Sequence, residues 1–165
     1  MAESFSFDIV SDFERQELVN ALDQVKREIS QRYDLKGTDT TVDLDKENIF
    51  ITTNSELTLN AVQDIIRQKA LKRNLSLKIF EYGEIEIVSG NRVRRTILLK
   101  QGIKQEIAKK ISKDIRDKIK KINVSINGET LRISSKSKND LQLAIKIINE
   151  LEESLNIPLK ANNFR

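Results

Sequence analysis

The chain presents the same succession of secondary-structure patterns twice. From Ser4 to about Tyr82, a strand-like alternation is followed by a helical pattern, a hairpin, a second helical pattern and a closing strand. The succession recurs from about Arg92 to Arg165. This order is the βαββαβ unit of ferredoxin-like and RNA-recognition-like folds. We therefore predict an α+β protein of two ferredoxin-like domains, each an antiparallel sheet backed by two helices, with one sheet face open.

Short polar motifs predict where two helices begin and where one hairpin turns. Capping boxes at residues 11–14 and 137–140 predict helix starts. The dipeptide Asn127-Gly128 is typical of a two-residue type I′ turn, which would place Val124 opposite Leu131.

The residues that are missing exclude several classes of function. The chain has no cysteine, so it cannot form disulfides or thiolate metal sites. It has no histidine either, which excludes imidazole metal sites and the Ser-His and Cys-His nucleophile pairs. The five glycines form no phosphate-cradling loop motif. We therefore predict a binding protein rather than an enzyme, with no metal and no cofactor.

No segment of the sequence is typical of membrane insertion or export. No apolar run approaches the roughly 18 residues that a membrane span needs. The N-terminal residues lack the basic and apolar stretches of a signal peptide. We expect a cytoplasmic protein without a membrane partner, and the sequence does not determine its oligomeric state.

The net charge of +4 conceals an uneven distribution along the chain. Residues 92–121 contain twelve basic and three acidic residues, whereas residues 1–91 contain eleven basic and seventeen acidic ones. Such a basic segment is either an ordinary solvated surface or a footprint for phosphates.

Isoleucines at four-residue spacing from Ile103 to Ile119 predict a helix with one apolar stripe in this basic segment. That stripe directs the basic side chains towards solvent. In the first interpretation their stems merely cover apolar edges; in the second they bind phosphate groups. The candidate ligand-binding residues on and beside this helix are Lys104, Lys109, Lys110, Lys113 and Arg116.

The predicted sheets contribute a second set of candidates. Phe50 points to the open face of its sheet, where RNA-recognition motifs carry a base-stacking aromatic residue, but packing under a neighbouring domain or loop is the favoured interpretation. Arg132 is outward in the second half, where no aromatic residue accompanies it. The candidates for stacking on or bonding to guanine are Arg94, Arg95 and Arg132. The RNP1 pattern of base-stacking RNA binders is absent from both halves.

Several short motifs resemble the bacterial YajQ family from end to end of the chain. They are Ser4-Phe5 and Asp8-Ile9-Val10-Ser11, Lys100-Gln101-Gly102-Ile103, Leu131-Arg132-Ile133-Ser134, Lys136 to Gln142, and Asn163-Phe164-Arg165. Together they are specific, although each alone is weak.

The resemblance implies that the two domains exchange their first strands. The first domain would then comprise residues 12–92 plus the strand 93–100, and the second would comprise residues 101–165 plus the strand 1–11. Arg94, Thr96 and Lys100 would lie on the open face beside Phe50. Members of the family are associated with nucleotides or tRNA, and some act as cyclic di-GMP effectors.

Three functional hypotheses follow, and an enzyme that acts on nucleotides ranks after them. The first is a non-catalytic protein that binds a nucleotide, RNA or tRNA through a basic surface. The second is a cyclic di-GMP effector that regulates through a protein partner. The third is an interaction protein whose basic helix contacts an acidic partner.

Overall fold

The computed structural model describes residues 4–165 and divides into two compact units. The split unit comprises residues 4–12 and 101–165, and the continuous unit comprises residues 13–100. Residues 1–3 of the predicted strand 1–11 lie outside the described residues. In chain order the elements are β1 (Phe5–Val10), α1 (Arg15–Gln31), β2 (Thr41–Leu44), β3 (Asn48–Thr53), α2 (Glu56–Lys72), a 3-10 turn (Leu77–Ile79), β4 (Phe80–Val88), β5 (Arg92–Leu99), α3 (Gln105–Lys118), β6 (Asn123–Asn127), β7 (Thr130–Ser135), α4 (Lys138–Leu155) and β8 (Lys160–Asn162).

The sheet topology confirms the predicted fold class, including the exchanged strands. The continuous unit contains the sheet β2-β3-β5-β4, and the split unit contains the sheet β6-β7-β1-β8. All neighbouring strands are antiparallel. In each sheet, the strand that takes the first position of the βαββαβ unit comes from the other half of the repeat. Strand β5 completes the sheet of α1 and α2, and β1 completes the sheet of α3 and α4.

Each unit has its own apolar core between its sheet and its helices. The continuous unit buries one face of α1 and α2 against inward residues such as Ile49, Ile51 and Ile97. The split unit buries Phe7, Ile9 and the isoleucine stripe of α3. Side chains alternate between the two faces of a strand, so every second strand residue is left for the opposite face of its sheet.

The predicted turn between β6 and β7 is wrong by one residue. Asn127 pairs with Thr130, so the two loop residues are Gly128 and Glu129, and Val124 lies opposite Ile133 instead of Leu131. Gly128, at the first loop position, has a φ of 60°. Glycine at the first loop position with positive φ is the mark of a type II′ turn. The shift moves the pairing by two residues, and for that reason it leaves the inward and outward faces as predicted.

One of the two predicted capping boxes forms only in its serine half, because the Ser137 amide donates to the Ser135 hydroxyl oxygen and not to the Asp140 carboxylate. The Ser137 hydroxyl accepts a hydrogen bond from the Asp140 amide and caps α4. At the other motif, α1 begins only at Arg15, and Glu14 occupies the cap position without a side-chain bond. Ser11 is instead buried in the split unit, where its carbonyl accepts from the Gly102 amide. Ser11 lies three residues before the cap position that Glu14 occupies.

Candidate nucleic-acid interface

The basic segment 92–121 is divided between the two units. Its first part, up to residue 100, forms β5 and belongs to the continuous unit, whereas its second part forms α3 and belongs to the split unit. Residues 104–121 contain eight basic and three acidic side chains. The segment therefore supplies two candidate surfaces, which are described separately.

The buried face of α3 determines where its cations point. Ile111 and Ile115 are fully buried, and Ala108 and Ser112 are almost so. Lys109, Lys113 and Arg116 follow one another at spacings of four and three residues. They form a single row on the exposed side of the helix, which we call the α3 row. The row extends roughly 10 Å at 1.5 Å per residue.

The α3 row is not neutralised by acidic neighbours. Within residues 4–165, no carboxylate oxygen lies within 4.0 Å of a side-chain nitrogen of the row, and the same holds for Lys110 on its flank. Arg116 donates from Nε to the carbonyl of Ser112 at 3.3 Å, a bond that leaves its charge uncompensated. The row therefore presents a positive surface to solvent.

Lys104 differs from the other α3 candidates. It occupies the N-cap position of the helix, and its Nζ lies 3.4 Å from Oε1 of Glu129. Both side chains are largely exposed, so the pair is weak. Lys104 thus contributes less positive charge to the surface than the α3 row does.

The open sheet face of the continuous unit brings Phe50 and Arg94 together. Phe50 pairs with Thr96, and Arg94 pairs with Thr52, on adjacent strands β3 and β5. The guanidinium carbon of Arg94 lies 4.9 Å from the centre of the Phe50 ring, within the range of a cation–π contact. An aromatic ring and a guanidinium plane are both surfaces on which a base can stack.

Lys100 does not join this pair, contrary to the expectation. It lies four residues beyond Thr96, or roughly 13 Å along the strand direction. Its amide donates to the Ile79 carbonyl, and partial burial lowers the pKa of its ammonium group below the ordinary value of 10.5, while Glu81 opposes that change. Lys100 therefore lies beside the 3-10 turn, at the end of β5 and away from Phe50.

Arg95 faces the helices instead of the open face. Its Nε donates to the carbonyl of Gly83 at 2.8 Å, and NH1 donates to Oε1 of Gln63 at 2.9 Å. Gln63 is buried on α2, and the guanidinium also lies 5.3 Å from the centre of the Tyr82 ring. These contacts tie β5 to α2 and β4, and they occupy two of the five N–H donors of Arg95.

Arg132 lies on the open face of the split unit, but its charge is compensated there. Its Nε donates to Oδ1 of Asp8 at 3.0 Å, and Asn163 donates to the other carboxylate oxygen at 3.0 Å. The hydrogen bond from Arg132, followed by that from Asn163, holds the pKa of the Asp8 carboxyl below its ordinary value of 3.8. The same bond raises the pKa of the Arg132 guanidinium above its ordinary value.

Sequence analysis missed Asp8 as the partner of Arg132. The two residues are 124 positions apart and become direct neighbours only because β1 pairs with β7. The available signal was that both point outward on strands that the exchange places side by side. Opposite charges at facing positions of an antiparallel pair are a common source of stabilisation.

Comparisons with known proteins agree with this architecture. A family model described as nucleotide-binding protein YajQ-like matches residues 5–165. The chain belongs to the YajQ-like family. It is 88% identical to a protein of Prochlorococcus marinus strain MIT 9312 and 77% identical to one of the same species, subspecies pastoris, strain CCMP1986. Another, from strain SARG, is 58% identical.

Each of these matches covers the whole of both chains. All three relatives carry the name nucleotide-binding protein, as does the family description. These names state binding and mention no reaction. Within residues 4–165, no helix has the length and apolar content that crossing a bilayer requires.

Proposed function

We propose that this protein binds single-stranded RNA without catalysing a reaction, and that the α3 row makes the principal phosphate contacts. The observation that carries the proposal is the row itself: three exposed cations on one line of a helix, none of them paired with a carboxylate within residues 4–165. Neutralising phosphates with such cations releases counterions and drives binding without sequence selection.

The names of the relatives support a ligand of this chemical class. A phosphate-binding surface serves nucleotides and nucleic acids alike, and a row is better matched to a chain of phosphates than to a single one. The proposal includes a cytoplasmic location, which the cysteine-free composition favours.

A cyclic dinucleotide is the second candidate ligand, and one observation favours it. Of the three arginines considered for guanine, Arg95 and Arg132 are engaged by protein acceptors, whereas Arg94 lies over Phe50. The guanidinium face of Arg94 away from the ring offers a stacking surface for guanine. In this alternative the ligand is cyclic di-GMP, and a protein partner receives the signal.

Titration of a fluorescent single-stranded RNA at several salt concentrations tests the leading proposal. The test variant is Lys109→Gln/Lys113→Gln/Arg116→Gln. We expect its affinity to fall about 10- to 100-fold near 0.1 M salt, because each lost phosphate contact removes roughly 0.7 from the slope of log K against log salt. The slope itself should therefore decrease by about 2.

The matched control removes three cations from exposed positions of the acidic part of the chain, as Arg27→Gln/Lys46→Gln/Lys72→Gln. Its RNA affinity should stay within about threefold of the unmodified protein, since distant charges are largely screened at this ionic strength. Equal losses in both variants, or no RNA binding at low salt, would overturn the proposal.

Two further ligands in the same titration separate the alternatives. Cyclic di-GMP that saturates with a stoichiometry near one, and depends on Arg94 instead of the α3 row, would favour the effector hypothesis. Poly-L-glutamate that binds as tightly as RNA would favour an acidic protein partner.

A further inference from the structure

A cavity of about 630 Å³ lies in the split unit, between the start of β6 and the connection from β7 to α4. Its volume is within the range of small-ligand pockets. The lining is polar and includes Lys121, Asn123, Ser134, Lys136, Ser137 and Asp140. None of these residues is needed for the contacts along the α3 row.

The two lysines of this cavity lie just beyond the paired residues of the β6–β7 hairpin. The register ends with Asn123 opposite Ser134, and Lys121 and Lys136 are each two residues further from the turn. The hydroxyl of Ser135 donates to the carbonyl of Lys121 at 3.4 Å and holds the two segments together. The backbone therefore directs two cations to the rim of one cavity.

This arrangement is unfavourable in the free protein. Two cations at the rim of one cavity repel each other. Within residues 4–165, neither Lys121 nor Lys136 has a carboxylate oxygen within 4.0 Å, although Asp140 lines the same cavity. A dianion bound between the two ammonium groups would turn their repulsion into attraction.

Hydroxyl groups complete a site for phosphate oxygens. Ser137 accepts from the Asp140 amide, and within the described part of the chain its own hydroxyl proton has no acceptor. A hydroxyl can accept and donate at the same time, so Ser137 retains a donor for a ligand. The Asp140 carboxylate is an acceptor for the sugar hydroxyls of the same ligand.

The charge of the site favours one kind of phosphate. An internal phosphodiester carries a single negative charge, whereas a phosphomonoester carries about −1.5 to −2 at neutral pH. Two cations at the rim of one cavity therefore match a monoester better than a diester. In a nucleic-acid strand, phosphomonoesters occur only at the ends.

The cavity also lies at the C-terminal end of α3. Lys121 lies three residues beyond the last residue of α3, so the rim of the cavity comes directly after the α3 row along the chain. We propose that the cavity binds the terminal phosphomonoester of an RNA strand whose diesters contact the α3 row. This inference rests on the proposed RNA binding and specifies which part of the strand is recognised.

Three RNAs of one sequence test the inference: one with a 5′-phosphate, one with a 3′-phosphate, and one with hydroxyl groups at both ends. Each carries its fluorophore at an internal base so that both ends stay free. The unmodified protein should bind one of the phosphorylated RNAs about tenfold more tightly than the hydroxyl RNA, as charge-assisted hydrogen bonds imply. The 5′ and 3′ arms identify which end enters the cavity.

The test variant is Lys121→Gln/Lys136→Gln, and the matched control is Lys146→Gln/Lys160→Gln, which removes two exposed lysines from the same unit. The test variant should bind all three RNAs equally, and its affinity for the hydroxyl RNA should match that of the control. Thermal unfolding of both variants verifies that they fold.

The outcomes separate this inference from the proposed function. If the unmodified protein binds the hydroxyl RNA as tightly as both phosphorylated RNAs, or if the test variant keeps the preference, the terminal site is wrong while RNA binding stands. If none of the RNAs binds at low salt, the proposed function and this inference both fail.

Discussion

Helices α1 and α3 hold equivalent places in the two units, and their surfaces differ in one respect. Both bury an apolar face against their own sheet. In the continuous unit, Glu17 of α1 lies 3.2 Å from Arg73, and Glu28 lies 3.2 Å from Lys69. The α3 row of the split unit has no such partners within residues 4–165.

The difference separates two roles within a helix: the buried face determines folding, and the exposed face is available for function. The buried face must fill a core, and core packing tolerates little change of volume. The exposed face is under no such constraint, so its charges are free to pair, as in α1, or to remain available for a ligand, as in α3. Because the two helices hold equivalent places, the paired charges of α1 show what an ordinary exposed face looks like, and the α3 row departs from it.

The largest expected effect tests the similarity of the two cores. Leu22→Ala in α1 and Ile111→Ala in α3 each remove a buried aliphatic side chain, and each should lower the free energy of unfolding by about 2 to 5 kcal/mol. Urea denaturation measures the loss, and hydrogen exchange assigns it to a unit. A cost below about 1 kcal/mol at either site would mean that the two helices are not equivalent.

A smaller effect concerns the open face of the split unit. Asp8→Asn removes the charge that Arg132 and Asn163 contact. Because the folded-state pKa of Asp8 is lowered, its carboxylate stabilises the fold above its ordinary pKa of 3.8, and this stabilisation is lost as the pH falls through the lowered value.

Unfolding measured from pH 7 down to pH 2 should therefore show the Asp8→Asn variant and the unmodified protein converging at the acidic end. The effect at neutral pH should be smaller than that of a core truncation, because Arg132 is exposed to solvent. A difference that is constant across the whole range would contradict the assignment of the lowered pKa to Asp8.

The smallest effect sharpens the contrast between the two helices. Glu28→Gln should cost about 0.5 kcal/mol, since it breaks the pair with Lys69, and high salt should reduce that loss. Lys113→Gln in the α3 row should cost nothing or stabilise slightly, because like charges at helical spacing repel. Thermal unfolding at low and high salt measures both, and a loss of stability from Lys113→Gln would reveal a partner for this lysine.

The candidate site illustrates how far pattern reasoning reaches. Isoleucine spacing predicted that Lys109 and Lys113 would be exposed, because a single helix already determines which side its apolar stripe occupies. The contacts of Arg95 could not be predicted in this way. It sits on the inward face of its strand, where apolar residues are expected, and only the packing of α2 supplies Gln63 as its acceptor.

The hairpin register and the exchanged strands show the same limit for the fold. Alternation predicted the faces of β6 and β7, but the choice between two neighbouring turns depends on a small difference in backbone conformation at Gly128. The strand exchange came from a resemblance to a family, since the residues of β1 and β5 are compatible with either sheet.

The amino-acid order alone therefore determines the local features of this protein: two βαββαβ patterns, the apolar face of each helix and the concentration of cations around α3. The tertiary structure decides which charges meet. Periodicity describes each segment relative to its own axis, whereas an ion pair such as that of Asp8 and Arg132 depends on distant segments being held side by side by their shared core.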